Sequence, residues 1–227
     1  MYVTLSSKQA PAFLASDVDQ PCRSVVTSLS PRRHEAGTHL FREGDEATHV
    51  YEVLSGALRL TRVLKNGRRQ VIAFGLPGDI IGFPNGDLHH TDCDVIATAE
   101  IVALRRRTLE TGEGDPETHK RLLRAALHEI SAMQDHFMML ARKSAIRKVA
   151  SFLIALSQRT GKPIGNYTTF PLLMSRADIA DFLGLTIETV SRSFSLLRKN
   201  GAITLETPQI VLIKDMQALI DVSQDTD

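Results

Sequence analysis

Apolar and polar positions follow three different periods along the chain. From residue 33 to 107, apolar runs such as HVYEVLSGALRLTRVL and RQVIAFGL are punctuated by Gly37, Gly44, Gly56, Gly67, Gly75, Gly78 and Gly82. Short runs with glycine at the corners predict the strands of a closed or rolled antiparallel β domain. The Asn-Gly pair in KNGR, 65–68, predicts a type I′ hairpin, whose two central residues need positive φ.

From Pro116 the period lengthens. Leu123, Ala126, Ile130, Met133, Phe137 and Leu140 recur at spacings of three and four, a heptad stripe. The run contains no glycine or proline, and its other faces carry Lys120, Arg121, Arg124, Glu129 and Asp135. It predicts a helix over 116–142 that pairs with its copy in a parallel homodimer. The alternative is a helix whose stripe packs on its own β domain.

The third segment is helical again: SAIRKVASFLIALSQRTG, a loop at 161–171, then DIADFLGLTIETVSRSFSLLRKNGAI. Counted from Arg176 as the first of twenty positions, Ala180 is fifth, Gly184 ninth and Val190 fifteenth. A helix–turn–helix needs a small residue, a positive φ and a branched grip at those three places. Beyond it, GAITLETPQIVLI predicts two strands around Thr207-Pro208, a β-wing. The expected fold is therefore α+β, with an antiparallel β-roll over 1–115, a dimerisation helix over 116–142 and a winged helix–turn–helix over 143–227.

Charge sharpens this picture once it is divided along the chain. The net charge of the 227 residues is only +1, but residues 142–200 carry ten basic against three acidic side chains. Beside a helix–turn–helix, that block is a candidate footprint for the phosphates of double-stranded DNA. Thr186 is placed as the N-cap of the second helix, with Ile187, Glu188 and Thr189 in its first turn. Glu188 and Arg192 are four apart and share a face, with Ser191 beside them. Glutamate accepts from cytosine N4, and arginine donates twice to guanine N7 and O6. The same spacing also suits a mere surface ion pair, worth a few tenths of a kcal/mol. Ser175 and Arg176 open the first helix, where they are expected to touch phosphate. Arg198 and Lys199 stay open between backbone contact and solvated charge.

No apolar run approaches the roughly 20 residues that span a bilayer. The start, MYVTLSSKQAPAFLASDVDQ, has no basic region ahead of a long apolar stretch, so neither signal peptide nor membrane is expected. Cys22 and Cys93 are the only cysteines. Two distant thiols fit a reducing, cytoplasmic setting better than a disulfide framework.

A β-roll, a long helix and a winged helix–turn–helix in this order resemble the Crp/Fnr superfamily of bacterial transcription regulators. GTHLFREGD and YEVLSGALRL are similar to the entry of that family's cyclic-nucleotide-binding-like roll, LPGDIIGF to its middle, and LTIETVSR to its recognition helix. Glu188-x-x-Ser191-Arg192 is like the Fnr branch. In the cyclic-AMP receptor branch an arginine precedes the glutamate and a glycine the second arginine, where this chain has Ile187 and Ser191. The resemblance implies a thymine contact for Ser191 and half-sites like TTGAT facing ATCAA. It also implies RNA polymerase as a further partner.

Two departures matter. Oxygen-sensing members of the Fnr type hold an iron–sulfur cluster on an N-terminal cysteine group plus one roll cysteine. Here the N-terminal part offers only Cys22, and Val102 falls at the other place. Cyclic-nucleotide members carry an Arg-Ser/Thr pair for the phosphate and a glutamate for the ribose. GDIIGFPNGDLHHTDCDVIATAE has neither, and no arginine lies between Arg69 and Arg105. The chain is thus similar to the FixK group, which lacks both devices and acts in oxygen-limited gene programmes, and no cofactor or metal is expected. Two alternatives remain. One is the same DNA-binding role gated by a roll ligand such as haem sensing nitric oxide. The other is a metal-dependent cupin-like enzyme using His34, His39, His49 or the HHTDC cluster at 89–93.

Overall fold

The structure, a computed structural model, describes residues 30–84, 86–112 and 115–224. Cys22 and the amino-terminal stretch lie outside the described residues. The described chain forms two compact units. One gathers residues 30–128 with Leu173–Phe182, the other Glu129–Leu172 with residues 183–224.

In the first unit, strands β1 (Arg32–His34), β2 (His39–Phe41), β3 (His49–Val63), β4 (Arg69–Gly75), β5 (Ile80–Ile81) and β6 (Asp92–Arg105) form one antiparallel sheet. Its main order is β1-β6-β3-β4, with β2 added to β6 and β5 to β3. The run read as short strands contains two long ones, β3 of 15 and β6 of 14 residues, paired from His49·Arg105 to Thr61·Asp92. The glycine read as a corner at 56 is instead absorbed as a bulge inside β3. Gly56 has φ 86, the register shifts on both sides of it, and a Cβ there would strike the Thr98 carbonyl and Ala99.

The hairpin after β3 also differs from the type I′ expectation. Gly67 has φ 76, whereas Asn66 does not have positive φ. Gly67 N–H donates to Leu64 O and Leu64 N–H to Arg68 O, both at 2.8 Å. This is a three-residue loop, a turn closed by one left-handed glycine, and Asn66 Oδ1 stabilises it by accepting from Arg68 N–H at 3.0 Å. Inside the roll, Phe41, Val53, Leu58, Ile81, Cys93, Val95 and Ile101 form a buried cluster.

Helix α1 (Arg106–Thr111) ends at Gly112, φ 67. Helix α2 (Pro116–Arg142) starts with proline at its first position and with the Asp115 carboxylate accepting from Thr118 N–H and Oγ1–H. Leu122, fully buried, joins Val50, Val102 and Leu104. Arg121 pairs with Glu52 at 2.6 Å. The face of α2 that packs on its own roll is therefore the Leu122 face.

The second unit is built on α3 (Ala145–Thr160), whose run from Val149 to Ser157 is buried throughout. Helix α5 (Ile187–Lys199) and helix α6 (Met216–Gln224), an element not anticipated from the sequence, pack on α3. The stretch read as a loop at 161–171 is a hairpin of β7 (Lys162–Ile164) and β8 (Tyr167–Pro171), turned at Gly165 with φ 57. Strands β9 (Ile203–Thr207) and β10 (Ile210–Ile213) are the expected wing, within a sheet of order β7-β8-β10-β9. Helix α4 (Arg176–Leu183) precedes α5 by three residues.

Candidate nucleic-acid interface

Each of the three diagnostic places holds what the motif needs. Ala180 and Val190 are buried, and Gly184 stands in the turn at φ 63, where an L side chain is strained. Thr186 caps α5 as expected. Its φ and ψ are −90 and 158, and its hydroxyl accepts from Thr189 N–H at 3.2 Å.

The two faces of α5 are sharply divided. Val190, Ser193, Phe194 and Leu197 are buried, whereas Glu188, Ser191, Arg192, Arg198 and Lys199 are exposed. Thr189 is half-buried, its hydroxyl 3.0 Å from that of Thr186. Glu188 is held below the usual carboxylate range by its own backbone N–H and by the Thr186 hydroxyl, with the attraction of Arg192 the weakest contributor. It is an acceptor at neutral pH. Arg198 and Lys199 sit in the last turn, where they also suit the negative end of the helix dipole.

At the start of α4, Ser175 and Asp178 cap each other. Asp178 N–H donates to Ser175 Oγ at 3.0 Å, and Ser175 Oγ–H and N–H donate to Asp178 Oδ2 at 2.6 and 3.2 Å. Burial opposes ionisation of Asp178, but the bonds from Ser175 and Arg59 outweigh it and hold the carboxyl below its usual value. The hydroxyl proton of Ser175 is committed to this box, and Arg176, the next residue, is half-buried. The Ser-x-x-Asp spacing was a local signal for the cap.

On α2, Leu123, Ile130, Met133 and Phe137 are exposed, Phe137 at 69%. Ala126 and Leu140 are half-buried, with Leu140 near Gly184. Leu127, at 57%, belongs to the same exposed stripe and was missed, although it lies four after Leu123 and three before Ile130. Met139 is buried.

The histidines of the roll serve separate purposes. His39 pairs with Asp94 at 2.7 Å, and His49 Nδ1 lies 2.9 Å from the Thr48 hydroxyl. His89 is buried and stacks on Phe41 with ring centroids 3.8 Å apart, whereas His90 is exposed. Among the described residues no group of three or more His, Cys, Asp or Glu is assembled to hold a metal. Cys93 is fully buried, and burial pushes its thiol far up, leaving it an inert core side chain.

Burial also lowers His89, with His90 adding to the effect and Asp45 opposing it. Its folded value lies below the about 6.5 of an unfolded histidine, so on acidification the unfolded chain binds this proton first. The stabilisation is complete above about pH 6.5 and is lost as pH falls toward the folded value, at up to about 1.4 kcal/mol per pH unit. Thermal melts between pH 7.5 and 5.5 should therefore show a fall of a few degrees that His89→Phe, which keeps the stack, reduces. An equal fall in the variant would assign it to other groups.

These features define a helix–turn–helix DNA-binding protein carried on a β-roll. Two family models match it, a Crp-like helix-turn-helix domain over residues 147–222 and a cyclic nucleotide-binding domain over 31–111. The chain is 36% identical over 215 residues to the nitrogen fixation regulation protein FixK of Azorhizobium caulinodans, covering 94% of this chain and 87% of that protein. It is 40% identical over 167 residues to the transcriptional activatory protein AadR of Rhodopseudomonas palustris, covering 73% and 70%. The solved structure of FixK2 from Bradyrhizobium japonicum superposes with a TM-score of 0.78 at 31% identity, over 90% of this chain and all of that one. The chain belongs to the Crp/Fnr family of DNA-binding transcription regulators and is FixK-like within it. These relatives are regulators, not enzymes. Among the described residues no helix is long and apolar enough to cross a membrane.

The residues of the roll do not fit the cyclic nucleotide in the second model's name. Arg69 is paired to Asp178 and Asp181, Arg106 to Asp87 and Glu110, and Glu52 to Arg121. The stretch 82–91 supplies no cation, and its His89 ring is packed inside on Phe41. Nor do two cysteines, one of them buried in the roll, supply four ligands for an iron–sulfur cluster.

Proposed function

We propose that the protein is a cytoplasmic homodimer that binds a palindrome like TTGAT facing ATCAA across four base pairs, engages RNA polymerase and activates genes of an oxygen-limitation response. The observation that carries this reading is the α5 face bearing Glu188, Ser191 and Arg192, exposed while the opposite face is buried. Glu188 accepts from cytosine N4, Arg192 donates to guanine N7 and O6, and Ser191 meets a thymine. Thr186 and Thr189 set the first turn. Ser175 caps α4, and Arg176 with the first amides of that helix meets phosphate. The roll, the α2 seam and the winged motif are the working parts, over 1–115, 116–142 and 143–227.

The seam is Leu123, Ala126, Ile130, Met133, Phe137 and Leu140, with Leu127 beside it. The apolar face exposed on α2 supports it, because soluble chains rarely leave a contiguous apolar stripe in water. The partner is a second copy, since the heptad spacing is that of a helix meeting its own kind.

DNA binding is expected to need no effector. The purified protein should be colourless, and should bind a duplex carrying the palindrome in air, tighter than a scrambled duplex, with no added nucleotide. A stoichiometric iron signal, or affinity rising tenfold with cyclic AMP, would contradict this. In the same assay Arg176→Ala should weaken both duplexes alike and lower the salt slope by about one per subunit.

A further inference from the structure

Two arginines of the roll reach the start of α4. Arg59, on β3, donates through Nη1 to Asp178 Oδ1 at 2.6 Å and through Nη2 to Asp94 Oδ2 at 2.9 Å. Arg69, on β4, lies 3.0 Å from Asp178 Oδ1 and 2.8 Å from Asp181 Oδ2, both through Nη2. Next to it, the Gln70 amide bonds to the Asp181 carbonyl, and the rings of Phe74 and Phe182 pack at 5.2 Å. These residues all belong to one compact unit. Asp178 divides its carboxylate between two tasks. Oδ1 takes the roll arginines, and Oδ2 takes the hydroxyl and amide of Ser175.

This arrangement bears on phosphate binding. Helix α4 carries Arg176 against Asp178 and Asp181, a net negative charge on an element proposed to approach a polyanion. Arg59 and Arg69, with the Asp94 that Arg59 also holds counted in, cancel that negative charge and fix the capping carboxylate in place. We infer that Arg59 and Arg69 are positioning residues for DNA binding, acting through Asp178 and Asp181 to hold the first turn of α4 toward a phosphate. The inference rests on the reading that this turn meets the DNA backbone.

Asp181→Asn separates positioning from simple charge attraction. The substitution makes the protein more positive, so a pure field effect gives equal or tighter binding. Positioning gives the opposite, a loss of at least threefold, equal on palindromic and scrambled duplexes, with a smaller salt slope and an unchanged thermal midpoint. A merely structural defect would lower the active fraction without moving the slope. Arg69→Ala should lose about tenfold and Arg69→Lys much less, and Asp181→Asn added to Arg69→Ala should change nothing more, because the two act as a pair. Equal or tighter binding by Asp181→Asn, or a loss confined to the palindrome, overturns the inference. Failure of the wild-type protein to bind either duplex would instead remove the DNA reading beneath it.

Discussion

Ile130→Glu should leave the protein monomeric at micromolar concentration and nearly without affinity for its palindrome. The side chain is 54% exposed in the single chain, so the substitution spares the chain's own fold. In the proposed seam it places two carboxylates, one from each copy, in an apolar interface. Each buried, uncompensated charge costs on the order of 3–5 kcal/mol. About 6 kcal/mol raises a dissociation constant by roughly ten-thousandfold, enough to empty a nanomolar dimer. Light scattering reads the mass and circular dichroism checks that the helices persist. A variant that stays dimeric and binds DNA would move the seam off this stripe.

The second large effect concerns base reading. Arg192→Ala should cost about 1–3 kcal/mol per half-site and relax the preference at one G·C pair, leaving other positions unchanged. Glu188→Ala should mainly lose discrimination at the paired cytosine, since it removes an acceptor and also an anion that repels phosphate. Titrating each variant against every single-base change of one half-site separates the two roles. Should Arg192→Ala weaken all sequences equally, Arg192 contacts phosphate and the assignment of reading residues fails.

What could be read from the sequence follows from how local each constraint is. Ala180, Gly184 and Val190 answer to the sterics of one tight turn, so their spacing alone announced the motif. Glu188 and Arg192 shared a face by helical geometry, and Thr186 declared its cap by residue type. The long strands were harder, because a glycine at a bulge and a glycine at a corner look alike. In the sequence Gly56 reads as the second, and in the fold it is the first. Strands β7 and β8 hid within a stretch of glycine and proline, too short to show a period of two.

Contacts between distant residues left no trace of any kind. Arg59 and Asp178 are 119 positions apart, and a pair of opposite charges has no pattern until folding brings it together. Leu122 shows a related limit. One position from the stripe, it packs α2 on the apolar side of the roll, and only burial distinguishes it from exposed Leu123.

The most direct test is selection of bound sequences from random double-stranded DNA by the full-length protein, with no ligand added. A two-fold dimer presenting two α5 helices one DNA turn apart should enrich a palindrome with TTGAT and ATCAA arms four base pairs apart. Enrichment of a single asymmetric motif, or no enrichment without a small molecule, would contradict the account of an effector-free, dimeric reader.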